Sequence, residues 1–291
     1  MIVVCFACAP QAMAGILIGS TLDAIYDIDP VSGVASNPRV TPSRARGIEF
    51  ADGILYGVEA NTLSTIDVAS GEAHSLGTIT GLGPLEAILD LSWNAQTDTL
   101  FALAHLGGTT TDLLYTIHTS SLAATLVGEL DDNTKTIAFD ASGALYAISI
   151  NPDIVSLVDP ITAVTLSSTF LSTDIQTARM VFADMDHPII SARIDGDPGF
   201  VFDLNLADGT LSGIGTTGLD VGLTSLAYIP EPSMCFLVLF GVLGFLMRRG
   251  ACRPVGLMLE PSGKSVYDMM PCRGQATFFR GIRIISRTRG T

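Results

Sequence analysis

Between residues 15 and 229 short hydrophobic runs alternate with polar positions at a period of two, the pattern of half-buried strands. Two phrases recur. The first is a pair of runs around a turn: Ile48-Glu49-Phe50-Ala51-Asp52-Gly53-Ile54-Leu55-Tyr56-Gly57 returns over Ile137 to Ala147. Degraded copies are Leu91-Ser92-Trp93 leading to Leu100-Phe101-Ala102, and Val181-Phe182-Ala183 leading to Ile189-Ile190-Ser191. The second is a run ending in an aspartate turn, Ile25-Tyr26-Asp27-Ile28-Asp29-Pro30-Val31-Ser32-Gly33, with copies at Leu63 to Gly71, Leu114 to Ser121, Ile154 to Thr162 and Val201 to Gly209. Aligned on Asp29, Asp67, His118, Asp159 and Asn205, these copies stand 38, 51, 41 and 46 residues apart. Periods of about 40–50 residues with four short strands each mark propeller blades. Asp-Gly, Ser-Gly and Asp-Pro pairs supply the tight reversals, and no stretch of this body carries a sustained helical stripe.

Five second phrases are present, but only four first phrases lie between them. The missing one is Leu223-Thr224-Ser225-Leu226-Ala227-Tyr228, which is expected to pair beside Gly15–Gly19 and Ala24–Asp29. The expected fold is therefore all-β: a five-bladed β-propeller closed by strands from both termini, which removes exposed sheet edges from the ring seam. The phrases resemble the YVTN, NHL and PQQ-like repeats of secreted bacterial propellers. The Gly-His and Trp-Asp marks of WD40 blades are absent, and Trp93 is the only tryptophan, which disfavours a quinoprotein dehydrogenase. A β-sandwich or jelly roll also strings short strands together, but it leaves the repeat unexplained.

The two ends follow different patterns. Residues 2–9, Ile-Val-Val-Cys-Phe-Ala-Cys-Ala, are apolar but too short to span a bilayer. They lead into Ala12-Met13-Ala14, the small-x-small triplet of a signal-peptidase site, so residues 1–14 read as an export signal lacking a basic start. Segment 230–249 joins the helix-breaking Pro230-Glu231-Pro232-Ser233 to an apolar run from Met234 to Met247 and then Arg248-Arg249. The 15 residues from Ser233 to Met247 make a short transmembrane helix that local bilayer thinning can accommodate. These three parts in this order resemble the PEP-CTERM sorting signal of Gram-negative exported proteins. The resemblance implies recognition by exosortase, a membrane-embedded processing enzyme linked to exopolysaccharide, with transient anchoring through residues 233–247. The chain departs from that family by continuing for 42 residues, 250–291, a basic tail without periodicity. It reads as a cytoplasmic tail or as translated sequence beyond a lost stop or a frameshift, and is expected to be unstructured or absent from the mature protein.

Charge sharpens this division. The formal net charge is −14, yet residues 15–229 carry 26 acids and six bases, while residues 247–291 carry nine bases and two acids. An acidic body argues against nucleic-acid binding, which needs a cationic face. All five cysteines lie outside the body, so it has neither a disulfide framework nor a thiolate metal site.

Candidate chemistry in the body is sparse. His74, His105, His118 and His187 lack metal-ligand spacing and are expected to be solvated or hydrogen-bonded. Neither a Gly-x-Ser-x-Gly elbow nor a phosphate-cradling glycine loop occurs. Asp195 and Asp197, around Gly196, are the hard-oxygen candidates for calcium, alongside Asp131-Asp132 and Asp184/Asp186, but none forms a known calcium loop. Otherwise no cofactor is expected. Asp27, Asp29, Asp67 and Asp159 recur with the repeat and so should cap turns. Arg44, Arg46, Arg179 and Arg193 stand out among six bases; they either line a channel mouth or pair with the aspartates. The expectation is a non-enzymatic surface or matrix platform for exopolysaccharide or surface proteins. The alternative is a lactonase, or a glycan hydrolase or lyase, with its site at the channel mouth.

Overall fold

The computed structural model describes residues 15–41, 45–184 and 187–230. The chain divides after residue 232, and every described residue belongs to the first unit. Twenty strands form five separate four-stranded antiparallel sheets. Blade 1 contains β1 (Gly15–Ser20), β2 (Ala24–Ile28) and β3 (Ala35–Val40), with β20 (Ser225–Pro230) added from the other end of the body. Blade 2 is β4 (Gly47–Ala51), β5 (Ile54–Glu59), β6 (Thr62–Ile66) and β7 (Ala73–Thr78). Blade 3 is longer: β8 (Glu86–Asn94), β9 (Thr99–Leu106), β10 (Asp112–His118) and β11 (Ala123–Glu129). Blade 4 is β12 (Thr134–Phe139), β13 (Leu145–Ser149), β14 (Ile154–Val158) and β15 (Thr165–Phe170). Blade 5 is β16 (Thr177–Asp184), β17 (His187–Ile194), β18 (Asp197–Asn205) and β19 (Thr210–Thr216).

Strands β20, β4, β8, β12 and β16 touch one another in cyclic order, so they form the inner wall of a five-bladed propeller. The expected closure is present: β1 pairs with β20 from Gly15↔Pro230 to Ser20↔Ser225. The predicted closing strand begins at Leu223; the pairing starts two residues later, because Thr224 donates its backbone N–H to the Ser20 carbonyl as part of the turn into the strand. Among the described residues no helix is long and apolar enough to cross a membrane. The expected span 233–247 lies outside the described residues, as do residues 1–14 and the tail 250–291.

Period-two alternation explains how the blades stack. Ile48, Leu91, Ile137, Met180 and Leu226 occupy one position on the five inner strands, and all are buried. Two residues further on stand Phe50, Trp93, Phe139, Phe182 and Tyr228, an aromatic at every blade. Between blades 3 and 4 the Phe101 and Phe139 rings lie 4.9 Å apart, and between blades 4 and 5 Tyr146 and Phe182 lie 5.5 Å apart. Such contacts contribute beyond simple burial.

Asp29, Asp67 and Asp159 cap the outer hairpins, as their periodicity implies, whereas Asp27 lies inside β2 and instead accepts from the Asn37 amide and the Arg39 guanidinium of β3. Asp29 accepts from Val31 N–H and the Ser32 hydroxyl, Asp67 from the Ser70 N–H and hydroxyl, and Asp159 from Ile161 N–H and the Thr162 hydroxyl. Asn205 accepts from Ala207 N–H at 3.0 Å. The carbonyls of Asp29, Asp67, His118, Asp159 and Asn205 each close the turn on the N–H four residues on, at 2.8 Å in every blade. A second kind of bond ties blade 2 to blade 3 and blade 4 to blade 5. The Asn61 amide donates to the Glu86 carbonyl at 3.0 Å, and the Asp153 carboxylate accepts from Ile175 N–H at 3.2 Å. Each of these bonds reaches the start of the next blade.

Candidate functional site

The inner strands need a solution for their free edges. Each has a neighbour on one side only, and an unpaired buried N–H is costly. Side chains from the preceding blade supply the missing acceptors. The Ser225 hydroxyl accepts from Ile48 N–H at 3.0 Å and the Thr136 hydroxyl from Met180 N–H at 3.0 Å. The Asp90 carboxylate accepts from Ile137 N–H at 3.3 Å. One step along the strands the Ser92 hydroxyl takes Phe139 N–H at 3.0 Å, and the Glu49 carboxylate takes Trp93 N–H at 3.3 Å.

The first of these positions forms a ring on the axis: Gly47, Asp90, Thr136, Arg179 and Ser225, each preceding one of the buried hydrophobics named above. Gly47 leaves the necessary gap, since a Cβ there would stand 2.9 Å from the Asp90 backbone. Through that gap the Ser225 hydroxyl reaches the Asp90 carboxylate at 3.1 Å, and Thr136 donates to its other oxygen at 2.6 Å. The Arg179 guanidinium donates to three backbone carbonyls, those of Thr224, Lys135 at 2.8 Å and Ala178 at 2.6 Å. Thus a single cation ties blades 4, 5 and 1 together at the axis.

Burial controls the ionisation of this cluster. Desolvation pushes the Asp90 carboxyl up to about 6, against the pull of Arg179 and the hydrogen bonds from Thr136, Ile137 and Ser225. Glu49 is raised well above the usual carboxylate range by burial and then by the Asp90 charge. Desolvation lowers Arg179, with Asp90 opposing and Arg46 adding to the effect.

The expected arginines separate in space. Arg46 is exposed at the entrance to β4, whereas Arg179 is the third residue of β16. Arg179 is therefore equivalent to Gly47, not to Arg46, and that one-residue difference turns its side chain to the axis. Pairing with an aspartate holds for Arg39, which meets Asp27 at 2.6 Å; Arg193 instead donates to the Gly196 carbonyl. Arg44 lies outside the described residues.

Asp195 and Asp197 flank Gly196 in the β17–β18 turn, where Asp195 and Gly196 both have positive φ, as a type I′ turn requires. Asp197 accepts from Gly199 N–H at 3.3 Å, and both aspartates are exposed. Among the described residues no group of three or more His, Cys, Asp or Glu side chains is placed to hold a metal ion. Pro230 ends β20 opposite Gly15. Ala12, Ala14, Glu231, Pro232, Ser233, Arg248 and Arg249 lie outside the described residues.

Two histidines are hydrogen-bonded, as expected. His105 Nδ1 meets the buried Asp112 carboxylate at 2.8 Å, and burial raises that carboxyl against the pull of His105. His118 Nδ1 lies 3.1 Å from both the Ser120 and Ser121 hydroxyls. A separate cleft of ≈ 440 Å³ opens between blades 2 and 3, lined by Tyr56, Trp93, Asp52, Asp98 and His118 among others.

No family model matches the chain, and no curated protein matches it. Solved structures with a similar backbone include a protein of unknown function from Bacteroides caccae, at 7% identity and TM-score 0.43, covering 75% of this chain and 100% of that one. A nidogen/laminin complex chain shares 10% identity at TM-score 0.48, covering 74% of this chain and 98% of its own. TolB from Acinetobacter baumannii shares 15% identity at TM-score 0.46, covering 73% of this chain and 56% of its own. The five-bladed architecture rests on the strand pairing of this chain itself.

Proposed function

We propose that this chain is an exported cell-surface or matrix protein of a Gram-negative bacterium, sorted through its PEP-CTERM-like signal by an exosortase-type enzyme. Its propeller is a non-enzymatic platform that binds and displays at an exopolysaccharide layer. One observation carries the non-enzymatic part: the polar groups on the axis are largely engaged within the wall of the ring. Asp90 engages its two oxygens with Ser225, Thr136 and Ile137, and Arg179 its Nε and Nη1 with backbone carbonyls. A catalytic cluster keeps a reacting group free to meet substrate. The sorting reading is compatible with the closure, because the paired strands Gly15–Ser20 and Ser225–Pro230 lie between the two expected cleavage points. Removal of 1–14 and cleavage after Pro230 would both leave the ring whole.

The raised carboxyls of Glu49 and Asp90 favour the second reading, a glycan hydrolase or lyase, since perturbed acids mark many active sites. Intact-mass analysis of surface-released protein tests the first reading. The expected species starts near Gly15 and ends within Pro230–Ser233; a surface species still carrying 250–291 would contradict it. Assays of the full chain on lactones and glycans, with and without calcium, are expected to show no turnover. Turnover lost in Asp90→Asn would establish the second reading instead.

A further inference from the structure

The cleft between blades 2 and 3 sits at a junction that lacks the aromatic ring contact of the next two. At the next two junctions an aromatic of the inner strand meets an aromatic of the preceding blade, Phe139 with Phe101 and Phe182 with Tyr146. The equivalent residues one junction earlier are Trp93 and Tyr56, and these line the cleft. Around them stand Asp52 and Asp98 from two hairpin turns and His118 from a third, all three exposed. His118 is the one histidine at a turn position that the other blades fill with Asp29, Asp67, Asp159 and Asn205. Those side chains turn their oxygens back onto their own turns. His118 caps its turn with Nδ1 alone. Two serine hydroxyls engage Nδ1 at 3.1 Å, so Nε2 is the ring nitrogen left to a ligand.

We infer that this cleft binds a pyranose ring of a neutral glycan, with Trp93 as the stacking surface and Asp52, Asp98 and His118 as hydroxyl partners. This deepens the binding-platform reading and rests on it. A sugar offers an apolar C–H face to an aromatic ring, and hydroxyls that both donate and accept. The cleft answers both needs. Carboxylates accept, His118 Nε2 can partner a sugar hydroxyl, and the hydroxyls of Thr116, Thr119 and Thr125 donate or accept. Its volume falls within the range of roughly 300–1,000 Å³ usual for small-ligand sites. An anionic sugar is disfavoured by Asp52 and Asp98. An organic cation would need acceptors and an aromatic cage, whereas Tyr56 is buried and leaves Trp93 as the half-exposed wall.

Trp93 is the sole tryptophan of the full chain, so its emission reports on the cleft directly. The full chain is titrated with cellobiose, maltose and N,N′-diacetylchitobiose, with galacturonate and tetramethylammonium as controls. A saturable change with at least one neutral disaccharide, and none with the controls, is expected. Asp98→Gly, which keeps the positive φ of its turn, and His118→Asn, the residue type that blade 5 carries at the equivalent turn, should weaken that response about tenfold or more while leaving the melting transition in place. Trp93→Phe, read by calorimetry, should weaken binding by a similar factor. The inference falls if no neutral disaccharide perturbs Trp93, if the variants respond like the native chain, or if tetramethylammonium alone gives the response. Processing of the ends and absence of glycan cleavage are measured separately. A silent cleft in a correctly processed, non-hydrolytic chain sinks this inference and leaves the platform reading standing.

Discussion

The junction between blades 3 and 4 and the junction between blades 2 and 3 use the same positions for opposite ends. In the first, Phe101 meets Phe139 at 4.9 Å, and the Phe139 N–H ends on the neutral Ser92 hydroxyl. In the second, Tyr56 and Trp93 border an open cleft, and the Trp93 N–H ends on the Glu49 carboxylate. Both junctions cap the inner-strand edge with a side chain of the preceding blade, but blades 2 and 3 are also joined by a parallel bridge, Thr80↔Ala123. The contrast thus lies in the side chains and in that added bridge, and it teaches that the positions common to all blades make the ring. The blade that departs from them, with its longer strands and its histidine turn, is where recognition is to be sought.

The largest effect should come from the closed junction. Phe139→Ala removes a buried ring and its aromatic partner, at a cost of about 3–5 kcal/mol in urea unfolding. Trp93→Ala should cost less, because one wall of that side chain already faces the cleft. Equal losses would erase the distinction between the junctions.

Next comes the pH dependence of the two carboxyls that cap the inner strands. An acid whose folded pKa exceeds its unfolded value makes the folded state bind more protons in between, so stability falls as pH rises through that window. For Asp90 the window runs from its ordinary 3.8 to about 6, and the loss is on the order of 3 kcal/mol. Glu49 acts in the same direction. Asp29, Asp67 and Asp159 act in the opposite one: hydrogen bonds hold their pKa values low, so what they contribute is lost as pH falls through the low carboxylate range. Denaturation midpoints should accordingly decline above pH about 4, and Asp90→Asn should flatten the decline. Glu49→Gln should remove the part of the pH response that Trp93 emission reports. A native profile that is flat between those limits would contradict the assignment.

The smallest effects compare the outer turns. The fifth residue of each turn is left-handed: Gly33, Gly71 and Gly209, but Leu122 in blade 3 and Ala163 in blade 4. Gly209→Ala would drive a methyl into the Phe170 carbonyl and should cost about 1–3 kcal/mol. Ala163→Gly relieves its backbone and should stabilise by less than about 1 kcal/mol. Leu122→Gly should destabilise, since Leu122 also packs against the core that Trp93 adjoins. A stabilising Leu122→Gly would show that blade 3 gains nothing from its departure.

Much of the ring is legible because its signals are local. Period-two runs, Asp-Gly and Asp-Pro turns and the missing first phrase point to five blades and to the closing strand within two residues. Asp29, Asp67 and Asp159 recur and are turn caps. The axis is not legible in the same way. Asp90 belongs to none of the aspartate clusters, and Arg179 aligns by sequence one residue away from its structural equivalent. A signal exists: the ring residues each precede the hydrophobic that opens the first phrase, and aligning that phrase one position earlier gathers them.

The sequence by itself determined which residues form strands and where they reverse, because each depends on neighbours a few residues apart; how the ends join followed from the one phrase missing from the repeat. Only the tertiary structure decided what meets at the centre and what stays open between blades. Gly47, Asp90, Thr136, Arg179 and Ser225 lie 43 to 46 residues apart and converge only when the ring closes. The cleft at Trp93 depends on which aromatic rings of adjacent blades come into contact. No local pattern encodes that contact, since the same aromatic position is filled in every blade.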